Sequence, residues 1–260
     1  MTADWLDALR RRADQPPLAV RAVLHVGPGD AEVGSIEPAL AMRIAAAGLP
    51  LVARTRGWYV TGADANAALA RIAEWLCAQG LASAWRDELL SVTDAAGVPV
   101  ARVERAAVRA LGITTHAVHL VGHAEQGGVW VQQRAFDKAT DPGLWDTLMG
   151  GLVAAGETIA ATLARETWEE ASLRIDALRD VTARGTLTVR RPVRDGYMIE
   201  HLHVFEGVVP AGLVPLNQDG EVEAFARWGV EALQERLRVG AFTLEAALIL
   251  ADLLGLGTCA

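Results

Sequence analysis

The sequence predicts an α+β protein: a mixed sheet covered by helices, preceded by a smaller α+β unit. Three observations lead there. The hydrophobic spacing switches repeatedly between a period of two and a period near 3.6, as interleaved strands and helices require. THAVHLVGHAEQGGVWVQQRAF holds two alternating runs split by Gly127 and Gly128, the pattern of a hairpin. Residues 158–171 carry an apolar face at helical spacing. The 260 residues, 52% hydrophobic and 22% charged, suffice for two medium domains, placed here at 1–112 and 113–260.

Residues 3–14 read as a short amphipathic helix stopped by Pro16 and Pro17, followed by strand-like LAVRAVLHV. The GPGD that follows reads as a plain turn, because neither GK[ST] nor GxGxxG continues it. EPALAMRIAAAG predicts a helix ending at Gly48, LPLVARTRGWYVTG paired strands, and ADANAALARIAEWLCAQG a helix closed by Gly80. Strands are expected near 88–92 and 98–103, then a short helix near 104–110 joining the two domains. After the hairpin come a DPG loop, the helix at 158–171, strands near 180–190 and 199–208, and helices near 229–238 and 242–254. The last helix is apolar around much of its circumference, which burial explains and a homodimer seam would also explain.

Net charge is -8, so a broad nucleic-acid footprint is not expected. Cys77 and Cys259 lie far apart with no metal-ligand spacing, which reads as two free thiols in a cytoplasmic protein. The N-terminus lacks a signal-peptide core, and ALILADLLGLG is too short to span a bilayer.

The helix at 158–171 poses a charge problem. Glu166, Glu169 and Glu170 sit at i, i+3 and i+4, where like charges cost a few tenths of a kcal/mol. A solvated acidic face is one explanation. A divalent cation is the other: hard oxygen donors suit Mg²⁺ or Mn²⁺, which also bind phosphate oxygens. The surroundings favour the cation. Gly151, Glu157, Arg165, Glu166, Glu169 and Glu170 follow G-x5-E-x7-R-E-x-x-E-E, a set that would meet by chance on the order of once in ten thousand such chains.

That set resembles the Nudix box of Nudix hydrolases, and the likeness extends over residues 114–255. The resemblance implies an α/β/α sandwich with metal ligands Glu166, Glu169 and Glu170, assisted by Gly150, while Glu157 supports the site and Arg165 holds the acidic cluster in shape. Gly150 and Gly151 would let backbone approach phosphate. Thr167 stands where an aliphatic residue is usual. Ser172 replaces a glycine at the helix end, where a left-handed serine costs about 1 kcal/mol. RAFDKATDPGLWDTLMGG, NQDGEVEAF and WRDE at 85–88 further resemble the thiamine-diphosphate-processing branch with an extra N-terminal domain, though Asp141 stands where a tyrosine is common.

Lys138 and Arg134, just before the glycines, are candidate phosphate ligands. Glu221 and Glu223 are candidates for an extra ligand or for the base that activates water, Glu221 preferred narrowly. Trp145 is the preferred stacking surface among Trp58, Trp85, Trp145 and Trp168. His116, His119 and His123 read as sheet histidines, while His201 and His203 share a face and are candidates to approach substrate. The expected activity is Mg²⁺- or Mn²⁺-dependent hydrolysis of a small organic diphosphate, thiamine diphosphate or an oxidised analogue foremost, to monophosphate and phosphate. Rival readings are a pyrophosphatase for ADP-ribose or other nucleoside-diphosphate derivatives and a ligand-binding module without catalysis.

Overall fold

The computed structural model describes residues 3–27 and 29–256, so Cys259 lies outside the described residues. After helix α1 (Ala3–Ala13) the chain forms β1 (Ala22–Val26), β2 (Ala31–Ile36), α2 (Pro38–Ala46), β3 (Leu51–Arg54), β4 (Gly57–Val60) and α3 (Ala65–Ala78). The four strands make one sheet in the order β2-β1-β4-β3. The Asp64 carboxylate caps α3 by accepting the N–H groups of Asn66 and Ala67, meeting two of the donors that a helix start leaves unpaired. A ribbon of β5 (Leu89–Thr93) and β6 (Pro99–Glu104) completes this unit. Its core gathers Leu24, Ile36, Ile44, Leu69, Ile72 and Leu76, none of which reaches solvent.

The second unit contains β7 (Thr114–Ala124), β8 (Val129–Arg134), β9 (Trp145–Asp146), β10 (Met149–Leu152), α4 (Ile159–Ala171), β11 (Arg179–Val193), β12 (Gly196–Val209), β13 (Val222–Trp228), α5 (Val230–Arg238) and α6 (Leu244–Leu253). Its sheet runs β11-β12-β7-β8-β13, with β10 also paired to β7 and β9 to β8. The β12–β7 pair is parallel and the others antiparallel, so the sheet is mixed as expected. Alternation along β7 separates two faces. Val118 and Leu120 pack with Leu163 of α4, while Ala117 and Val121 pack with residues of α1, α5 and α6. The result is an α/β/α sandwich behind a smaller α+β unit. The apolar circumference of α6 is buried within the chain, from Leu244 to Ala251.

Six features depart from the sequence reading. The helix expected at 104–110 is a single 3-10 turn, Arg105–Ala107, followed by turns through Gly112. Tertiary hydrogen bonds draw its carbonyls away: Tyr197 N–H donates to the Arg109 carbonyl and the Arg21 guanidinium to that of Ala110. Strand β2 escaped notice, and so did β9 and β10, which are short and lie in a glycine-rich stretch. Strand β13 was also missed, because its alternation is broken by a register shift between Val222 and Ala224. Helix α1 packs through Leu6, Leu9 and Ala13 into the core of the second unit, and Gln15 N–H donates to the Arg190 carbonyl. Among the described residues no helix is long and apolar enough to cross a membrane.

Candidate active site

Helix α4 brings the acidic set into position. Thr158 caps its start by accepting the Ala161 N–H at 3.1 Å. Its end turns at Ser172, left-handed at φ 55°, whose hydroxyl donates to the Leu216 carbonyl at 2.8 Å. Thr167, fully buried, satisfies its hydroxyl by donating to the Leu163 carbonyl one turn back. The buried stripe is Thr162, Leu163, Thr167, Glu170 and Ala171. Ala160 is exposed and Glu170 lies in the stripe, so the buried face reaches into the acidic set. Burying Leu163 contributes roughly 1.5–3 kcal/mol, which helps to hold a helix that also buries a carboxylate.

A cavity of about 300 Å³ opens where α4 meets the sheet, lined by Glu166, Glu169, Glu170, Arg165, Gly150, Gly151, Lys138, Arg134 and Glu221. The fold thus gathers nine of the sequence-derived candidates at one place. Gly151 is needed for its absent side chain: a Cβ there would lie 2.1 Å from the Glu166 carboxyl carbon. A Cβ on Gly150 would likewise meet the His119 ring at 2.7 Å.

The charges are arranged around Arg165. Its Nε and Nη2 donate to the two oxygens of Glu157 at 2.9 Å each, and Nη1 reaches Glu166 at 2.9 Å and Glu169 at 2.8 Å. Thr162 also donates to Glu157, whose carboxyl is held below its usual range chiefly by the Arg165 hydrogen bond. Glu170 is 3% exposed and accepts Gly150 N–H at 3.0 Å and the Gln132 amide at 2.8 Å, both on Oε2. Burial outweighs these donors and pushes its carboxyl up to about 8. Burial likewise pushes Glu166 up to about 7, against the pull of Arg165.

Among the described residues no three His, Cys, Asp or Glu side chains converge as a set able to hold a metal ion. The reason is local: Arg165 engages Glu166 and Glu169, while Glu170 turns toward Gly150 and Gln132. The donor chemistry still fits a hard divalent cation. Glu170, buried, and Glu166, half-buried, share one cavity wall where burial raises both carboxyls, and oxygen donors of this kind suit Mg²⁺ or Mn²⁺.

The other candidates sort by geometry. Lys138 is ion-paired to Glu221. Burial pushes the Glu221 carboxyl up, but the Lys138 hydrogen bond and charge outweigh it and leave it below its ordinary value. Arg134 donates to the Thr140 carbonyl at 3.0 Å and lies 3.8 Å from Asp146. Glu223 is exposed and does not line the cavity, because the irregular start of β13 ends the alternation that would align it with Glu221. Trp145 is corrected as well: it packs on Trp228 at 4.4 Å between ring centres and lines neither this cavity nor the neighbouring cleft. His201 and His203 face away from the cavity, which takes Met198 and Glu200 from the same strand. They cluster with His116, whose Nδ1 lies 3.0 Å from the His203 Nε2.

Sequence reasoning missed several cavity residues: Glu88, Arg105, Arg109, Asp146, Glu200 and Glu245. Burial pushes Glu245 up to about 7, with Glu200 adding to the effect. His119, expected only as a sheet histidine, lines the same wall; burial holds its ring well below the usual range, and its Nδ1 lies 3.1 Å from the Thr147 hydroxyl. Of these, Glu88 and Asp146 had a signal, standing in the WRDE and RAFDKATDPGLWDTLMGG stretches.

Two curated proteins of Arabidopsis thaliana are similar to this chain. Nudix hydrolase 20, chloroplastic, is 31% identical over 166 residues, covering 62% of this chain and 44% of that protein. Nudix hydrolase 24, chloroplastic, is 30% identical over 162 residues, covering 61% and 44%. The chain thus spans less than half the length of either. The crystal structure of DR0079 from Deinococcus radiodurans aligns with a TM-score of 0.49 at 24% identity, covering 65% of this chain and 98% of that one. Residues 114–246, just over half of the chain, match the NUDIX domain family, and the protein is a member of it.

Proposed function

We propose that this protein is a divalent-cation-dependent pyrophosphohydrolase that cleaves a small organic diphosphate to its monophosphate and phosphate. The observation that carries this reading is the shared cavity, which the three box glutamates line together with Glu221, Gly150 and Gly151. Glu166, Glu169 and Glu170, with Gly150, would hold Mg²⁺ or Mn²⁺, which when bound neutralises diphosphate oxygens and makes water a better nucleophile. Arg165 orients the glutamates through its contacts to Glu157, Glu166 and Glu169. Glu221, kept ionised by Lys138, can accept the proton of an attacking water. Lys138, released from Glu221, and Arg134 would then meet the leaving phosphate.

Thiamine diphosphate or an oxidised analogue is the favoured substrate, on the strength of the RAFDKATDPGLWDTLMGG and WRDE stretches. The cleft beside the cavity is lined by Glu37, Asp195 and Glu200 against six arginines, and by no aromatic side chain, so the preference rests on those stretches and not on the charge of the cleft. We further propose that the chain divides near residue 112, α1 excepted, with the first unit walling that cleft. The partly buried Cys77 and the absence of metal-ligand cysteine spacing favour a reducing, cytoplasmic setting.

The test is turnover of purified protein with Mg²⁺ or Mn²⁺ across a panel of thiamine diphosphates, ADP-ribose and other nucleoside diphosphate derivatives, with both products quantified. Release of thiamine monophosphate and phosphate supports the proposal. Preference for ADP-ribose would replace the substrate, and a diphosphate consumed without phosphate release would replace hydrolysis by isomerisation. No metal-stimulated turnover on the whole panel would point to the binding-module reading.

A further inference from the structure

A second cavity, of about 700 Å³, lies between the N-terminal unit and the second sheet. Its size is that of a small-molecule site. The two cavities adjoin: Arg105, Arg109, Thr140, Leu152 and Glu200 line both. A ligand with its terminal phosphate among the α4 glutamates and its organic group in the cleft would carry its ester-linked phosphate past this border.

The cations around the carboxylate cavity are unequally engaged. Arg105 pairs with Glu88 at 2.7 Å, Arg134 with Asp146 at 3.8 Å and Arg191 with Glu245 at 3.9 Å. Lys138 pairs with Glu221, and Arg165 with three glutamates. Arg109 alone among these lining cations has no hydrogen-bond or ion-pair partner for its guanidinium within the described residues. It is partly buried, so its charge is incompletely screened.

Its backbone is fixed from both sides. Tyr197 N–H, at the start of β12, donates to the Arg109 carbonyl at 2.9 Å, and the buried Arg21 donates to the Ala110 carbonyl at 2.8 Å. The β11–β12 turn presses so closely that a Cβ on Gly196 would lie 2.1 Å from the Arg109 carbonyl oxygen. A guanidinium on such a segment keeps its side-chain freedom but spends little further backbone entropy on binding.

We propose that the cleft between the two units receives the organic group of the substrate and that Arg109 binds the ester-linked phosphate at the border, as a fork to its non-bridging oxygens. This assignment rests on the diphosphate reading above, and it makes the N-terminal unit and its junction part of the substrate site. An arginine is suited to the task because its planar donors match phosphate, where a lysine offers a point charge.

The experiment is calorimetric titration of the full chain with inorganic pyrophosphate, without metal and with Mg²⁺, for the wild type, Arg109→Ala and Arg109→Lys. Thermal melting checks that each variant is folded. Loss of a charge-assisted phosphate contact predicts roughly tenfold or weaker binding by Arg109→Ala in both conditions, with Arg109→Lys intermediate. Binding by Arg109→Ala within twofold of the wild type overturns the assignment, and so does a wild type that binds no pyrophosphate. If Arg109→Ala weakens binding while the wild type hydrolyses nothing, the phosphate site stands and the hydrolase proposal falls. If diphosphates are hydrolysed with unaltered binding by Arg109→Ala, only the present assignment falls.

Discussion

The α4 region and the border of the two cavities hold positive charge in opposite ways. In the first, Arg165 is saturated by Glu157, Glu166 and Glu169, and its role is to keep carboxylates in place. In the second, Arg109 is held by its backbone while its guanidinium has no protein partner among the described residues. The difference teaches which cations of the proposed phosphate site organise the protein and which remain available to a ligand. Local pairing over a helical turn favours the first kind. Two units closing on one segment produce the second.

The contrast is broken most directly at Glu170. Glu170→Gln keeps its shape and the Gly150 contact, and it is expected to lower metal-dependent diphosphate turnover on the order of a hundredfold or more. Above about pH 8, where the wild-type carboxyl ionises, the metal-free variant should melt higher than the wild type, since a costly buried charge is gone. Turnover within a few fold of the wild type would remove Glu170 from the site.

The next largest effect is on stability against pH without metal. The carboxyls of Glu166, Glu170 and Glu245 are raised from 4.5 to about 7, 8 and 7. The folded state therefore binds more protons than the unfolded one between those values, and stability falls as pH rises through the window. His116, His119 and His203 are shifted down from 6.5 and act in the opposite direction below that pH. From pH 6.5 to 8 the carboxylates outweigh what remains of the histidine contribution, and unfolding in urea should show a loss on the order of a kcal/mol or more that Mg²⁺ reverses. A flat profile in that window would contradict the burial of Glu170.

Arg165→Ala sharpens the comparison from the organising side. It should weaken Mg²⁺ affinity on the order of 10–100-fold, as loss of a supporting partner does, and calorimetry of Mn²⁺ or Mg²⁺ binding would measure it. Gly151→Ala forces the Glu166 carboxyl to move away from a Cβ that would lie 2.1 Å from its carbon. A roughly tenfold fall in kcat/KM is expected, equivalent to about 1.4 kcal/mol. The smallest effect belongs to Ser172→Gly. Relief of the left-handed serine gives at most about 1 kcal/mol of stability, reduced by loss of the hydroxyl bond to the Leu216 carbonyl, with kcat unchanged.

The box was legible because its chemistry is compressed into one turn and one helix. Glycine, arginine and glutamates at fixed spacing must share a wall once residues 158–171 are helical. Lys138, Arg134 and Glu221 could be named from their neighbourhood, and the fold brings them to the same cavity. What failed depended on direction rather than position. Trp145 was near the right place in sequence, but its ring turns to Trp228. Glu223 stands two residues from Glu221, where a regular strand would set both on one face, and a register shift at the start of β13 removes that alignment.

By itself the sequence determined the family, the acidic helix and the order of most strands and helices, since these follow from spacing within a few turns of chain. Only the tertiary structure decided that α1 packs on the second core, that Glu170 is buried, and that Glu88, Arg105, Arg109, Glu200 and Glu245 border the glutamates of α4. Those residues come from segments far apart in the chain. Their juxtaposition depends on strand pairing and packing between units, which leave no periodic trace in the sequence.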